Sequence, residues 1–166
     1  MQCLLSSREM PSGERSPPAR FNVVIVYEDI ETRKHAKKGL RYVAEEFGND
    51  SEFRHSMWQL DDLQDPKLSV RAAPSLAESD LLMISLRGKR PLSPEIRALI
   101  DERLAQTANH QCALVALFEG AASPTHSSVY VYLAASARQH GLDLFEQAIN
   151  EAEDRWEPSL KLVWVL

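Results

Sequence analysis

The chain has 166 residues, a net charge of −5, 44% hydrophobic and 26% charged residues. That is the length of one domain, with enough core to stand without disulfides or a structural metal. An acidic balance excludes broad binding to nucleic acid or anionic membrane, and no apolar run reaches the about 18 residues of a membrane span.

Residues 1–20 hold three prolines, four serines and little to bury, which predicts a disordered leader or a stretch upstream of the true start. Its only apolar cluster, Cys3, Leu4 and Leu5, is too short for a secretory signal. Arg8, Arg15 and Arg20 against Glu9 and Glu14 give this leader +1, so the body carries −6. Two cysteines, Cys3 and Cys112, with no metal-site spacing, fit a reduced cytoplasmic protein.

Order is expected from Phe21. Phe21 to Tyr27 is a β-branched run of the kind buried on both faces of a sheet. Thr32 to Phe47 reads as a helix, with Ala36, Leu40, Val43, Ala44 and Phe47 inward and Arg33, Lys34, Lys37, Lys38 and Arg41 facing water. Gly48-Asn49-Asp50 stops it. Residues 52–60 form a more polar strand, which places it at an edge. Asp65-Pro66 starts a helix that Pro74 is expected to kink or split.

Leu81 to Leu86 is a third strand, and Ser93-Pro94 opens a helix with Ile96, Leu99, Ile100 and Leu104 on one face. Cys112 to Phe118 is a fourth strand, and Ser128 to His140 is a helix closed by Gly141. Residues 142–146 are expected as a fifth strand followed by a helix to about Trp156. Yet Leu142, Phe145, Ile149, Ala152 and Trp156 also share one helical face. Leu160 to Leu166 is an apolar tail; burying four of its large side chains contributes about 6–12 kcal/mol gross. It is therefore expected to dock, as an edge strand or on a partner, with homo-oligomerisation through this strand as one outcome.

Strands alternating with helices predict a doubly wound, mainly parallel α/β sheet of five strands, order 2-1-3-4-5, flavodoxin-like, with helices on both faces. The domain spans 21–157, between the leader 1–20 and the tail 158–166. In such a sheet, sites form beyond the carboxyl ends of strands one, three and four. Those ends carry Glu28 and Asp29, then Arg87 and Gly88, then Glu119 and the loop with Ser123.

Val23-Val-Ile-Val-Tyr-Glu-Asp29 and the helix after it resemble the opening of a response-regulator receiver domain. The resemblance implies a Mg²⁺-holding acidic pair at Glu28 and Asp29. It also implies an acceptor Asp at the end of strand three, Ser or Thr after strand four and Lys after strand five. Here those places carry Ser85, Leu86 or Arg87, then Glu119-Gly120, then Leu144 to Gln147. Without the acceptor carboxylate an aspartyl phosphate cannot form, so a degenerate, phosphate-independent receiver is expected. A flavodoxin is similar in shape, but Glu28, Asp29 and Glu31 stand where its phosphate loop belongs and would repel FMN. The G-x-G-x-x-G and Walker motifs are absent, so no cofactor is named. The stretch Trp58, Pro66, Leu68, Ala72-Ala73 and Asp80 resembles a group of uncharacterised bacterial proteins and brings no activity with it.

Each candidate has a bland counterpart. Glu28, Asp29 and Glu31 bind a cation or do acid–base work, or else cap a helix. Arg87 meets an anion, or pairs with Glu28 or Asp29. Lys89-Arg90 and Asp61-Asp62 read as solvated loops. The loop from Glu119 through Ser123 to Ser128 holds an anion or only caps a helix. Trp58, Tyr130 and Tyr132 mark a partner surface or plain core packing. No catalytic residue and no metal set emerge, because the histidines are scattered and His126 lacks an acidic partner. The expected function is a non-catalytic, receiver-like domain that binds another protein. The alternative is a small-molecule or nucleotide-binding protein with its site at the strand ends.

Overall fold

The computed structural model describes residues 19–47, 51–105, 112–119, 128–141 and 144–149. In chain order the elements are β1 (Ala19–Tyr27), α1 (Ile30–Phe47), β2 (Ser51–Gln59), a 3₁₀ turn (Asp62–Gln64) and α2 (Pro66–Ala77). Then come β3 (Leu81–Leu86), α3 (Pro94–Ala105), β4 (Ala113–Glu119), α4 (Ser128–Gln139) and β5 (Leu144–Ile149). The fold is α/β, with a parallel sheet ordered β2-β1-β3-β4. The backbone of Leu144–Ile149 runs parallel beside β4, with Leu144 opposite Leu114.

Alternation along the strands divides the core. Val24, Val26, Leu82, Ile84, Leu114 and Ala116 face α2, α3 and α4. Val23, Ile25, Met83, Val115 and Leu117 face α1. β3 is buried along its whole length, which is why Leu81 to Leu86 shows no polar alternation. β2 lies at the edge, as its polar sequence predicts, with Glu52, Arg54 and His55 exposed.

β1 is longer on one side than on the other. It pairs with β2 from Ala19 to Tyr27, but with β3 only from Val23 to Tyr27. Just before β3 begins, Asp80 clasps Asn22. The Asn22 N–H donates to Asp80 Oδ2 at 2.7 Å, and the Asp80 N–H donates to the Asn22 carbonyl at 2.8 Å.

Several features differ from the sequence reading. β1 starts at Ala19, inside the stretch assigned to the leader, because β2 extends far enough to pair with it. α2 runs unbroken through Pro74. Pro74 is exposed and Val70 is 72% exposed, so the carbonyl that loses its donor stands near water rather than in the core. Leu144–Ile149 is extended beside β4, and residues 142–143 of the expected strand 142–146 lie outside the described residues. The helix expected to Trp156 and the docked tail lie outside the described residues.

Candidate functional site

The site region is the switch point between β1 and β3, where the chain leaves in opposite directions. Asp29 caps α1: its Oδ1 accepts from the N–H of Glu31 at 3.1 Å and of Thr32 at 3.0 Å. Thr32 answers, its Oγ1 accepting from the N–H of Asp29 at 2.8 Å and of Glu28 at 3.0 Å. This is a capping box with a threonine in the third helical position. The reciprocal cap explains why the helix opens at Ile30, two residues before the apolar pattern becomes legible.

Thr32 is fully buried and anchors the other side of the switch point. Ser85, also fully buried, donates its hydroxyl to the Thr32 carbonyl at 2.8 Å. The Glu28 N–H donates to the Ser85 carbonyl at 3.1 Å. Helix α1 is thus tied directly to the end of β3.

Arg87, one residue past β3, turns back over this junction. Its Nε donates to Asp29 Oδ2, and its backbone N–H donates to Glu28 Oε2 at 2.9 Å. Arg87 and Asp29 side chains are 35% and 34% exposed, so the pair sits at the rim, partly shielded from water. Gly88 follows at φ +73°, a backbone conformation that a side chain would strain. Burial works to raise the Asp29 carboxyl. The Thr32 N–H and the Arg87 guanidinium together outweigh it and hold the carboxyl below its ordinary value.

Four expected site residues therefore come together: Glu28, Asp29, Arg87 and Gly88. Glu119 ends β4, where only its backbone is described, and Ser123 lies outside the described residues. Glu31 is held below its ordinary value by its Lys34 partner, 2.8 Å away at the surface. Asp61 and Asp62 are exposed at the 3₁₀ turn. Trp58, Tyr130 and Tyr132 pack against the α2–α4 side of the core. Among the described residues, no three His, Cys, Asp or Glu side chains stand close enough to hold a metal ion. No described helix is long and apolar enough to cross a membrane.

A second polar cluster has no counterpart in the sequence reading. Arg103 on α3 is 2% exposed, and it clasps Ser79 with Nε on the hydroxyl at 3.1 Å and Nη2 on the carbonyl at 2.8 Å. The Ser79 hydroxyl stands 3.8 Å from the Cys112 sulfur, and the Arg103 Nη1 has no partner among the described residues. Burial pushes the Cys112 thiol up, against the pull of Arg103. The signal was in the spacing: Arg103 falls three residues after Ile100, on the apolar face of α3.

No family model matches the sequence, and no curated protein matches it.

Proposed function

We propose that this chain is a receiver-like interaction domain that works without phosphorylation and without a divalent cation, in the cytoplasm, by binding another protein. The observation that carries the proposal is Arg87. In the receiver pattern an acidic pair after the first strand holds a cation. Here the guanidinium of the same chain lies on Asp29, and the Arg87 N–H takes Glu28. A positive charge supplied in cis supports a site that has no need of a metal. At the end of β3, Ser85 donates its hydroxyl to Thr32 and offers no carboxylate for a phosphoryl group. In this reading Leu144–Ile149 is the fifth strand of a flavodoxin-like 2-1-3-4-5 sheet.

The test is incubation with acetyl phosphate and Mg²⁺, followed by intact mass measurement. The expected result is an unchanged mass. Stoichiometric gain of an acid-stable, hydroxylamine-labile phosphoryl group would overturn the proposal.

A further inference from the structure

Helix α1 carries most of what is electrostatically unusual about this chain. Arg33, Lys34, Lys37, Lys38 and Arg41 are all exposed and lie on its outward side, at spacings of one, three and four residues. The whole chain carries −5, so all residues other than these five cations sum to −10. Glu31, paired with Lys34, is the one acid within the stripe. Arg33 leans over the Tyr27 ring at 5.8 Å, which fixes one end of the row. Among the described residues, Lys37 and Arg41 have no carboxylate partner.

The stripe also has an apolar end. Ile30, the first residue of α1, is 67% exposed and precedes Arg33, Lys34, Lys37 and Arg41 by three, four, seven and eleven residues. It is one of three large hydrophobic side chains exposed among the described residues. From Ile30 to Arg41 the stripe is about 16 Å long.

We infer that the outer face of α1 docks an acidic segment of a protein partner, whose carboxylates meet the cation rows and whose apolar residue covers Ile30. This rests on the reading of the chain as an interaction domain, and it names the partner's chemistry. Two features select protein over other polyanions. The −10 summed over the rest of the chain repels a long nucleic acid or an anionic bilayer, which extend past the stripe, far more than a short peptide that stays within it. The apolar face of α1 is turned to the sheet through Ala36 and Val43, so among the described side chains of α1 Ile30 is the one large exposed apolar group offered to a bilayer.

The test is fluorescence anisotropy with a labelled glutamate-rich peptide of about 16 residues carrying one leucine, at about 50 mM salt. The full chain is compared with Lys37→Glu/Arg41→Glu, Lys37→Ala/Arg41→Ala and Ile30→Ser, each checked for folding by circular dichroism. Lys67→Glu/Arg71→Glu, on exposed positions of α2, is the control. Saturable binding is expected, weakened about tenfold or more by the reversed pair and less by the alanine pair and Ile30→Ser, with the control unchanged. Absence of saturable binding, or equal loss in the control, overturns the inference. So does tighter binding of a DNA duplex or phosphatidylserine vesicles that is lost on the same reversal. The acetyl phosphate assay reads the Asp29 site alone, so either result stands whatever the other shows.

Discussion

Arg87 reaches from the end of β3 to Asp29, the residue that caps α1, so one carboxylate serves the helix and the arginine together. Removing the arginine side chain leaves Asp29 without its cation, while Glu28 keeps the backbone N–H of that position. The Arg87→Ala variant is expected to lose about 0.5–1 kcal/mol, the range for a partly exposed pair. It is also expected to gain a Mg²⁺-dependent rise in Tm that the parent chain lacks. Thermal melts with and without Mg²⁺ check both.

The depressed Asp29 carboxyl sets an acid limit. As pH falls, the unfolded chain takes up a proton near the ordinary value of 3.8, while the folded chain resists. The unfolded state then binds more protons, so this contribution is present above that value and is lost as pH falls through the lower folded one. In Asp29→Asn the acid-side loss should be shallower. Urea midpoints between neutral pH and about pH 3 measure the difference.

Ser79 and Arg103 are expected to be strongly non-additive. Ser79→Ala strips the buried guanidinium of an acceptor and should cost about 1–3 kcal/mol. Arg103→Met removes the buried charge with its unpartnered nitrogen and should be close to neutral or stabilising. In that background Ser79→Ala should cost far less. A double-mutant cycle in urea gives the coupling.

Tyr132 ties α4 to α3, with its hydroxyl 2.9 Å from Asp101 Oδ1 and 3.0 Å from the Arg97 carbonyl. Burial and the Asp101 carboxylate both push the phenol above its ordinary value of 10.0. The unfolded chain therefore loses this proton first as pH rises. The contribution is whole below 10.0 and declines above it. Tyr132→Phe should cost about 0.5–1.5 kcal/mol at neutral pH and lose that alkaline decline, read from denaturation midpoints on either side of that value.

How much of this could be read from residue order depends on the range of the forces involved. Leu81 to Leu86 was legible because burial on both faces leaves an unbroken apolar run. The edge position of β2 was legible from its exposed charges. Arg87 was readable as a partner of Glu28 or Asp29, but its split between the two, side chain to one and backbone to the other, depends on Gly88. Pro74 misled because its cost depends on whether Val70 has water nearby, which is a matter of packing. Ser79 gave no signal, since a serine between helix and strand looks like any turn.

The unequal flanks of β1 have a kinetic consequence. From Ala19 to Phe21, β1 holds β2 on one side, and nothing from β3 reaches it. The Asn22–Asp80 clasp is therefore a boundary of cooperativity. Below it, the β1–β2 ribbon can unzip while the rest of the sheet stays intact. Amide protons of Ala19 to Phe21 and of Glu52 and Phe53 should exchange with solvent deuterium through local opening, orders of magnitude ahead of those in β3.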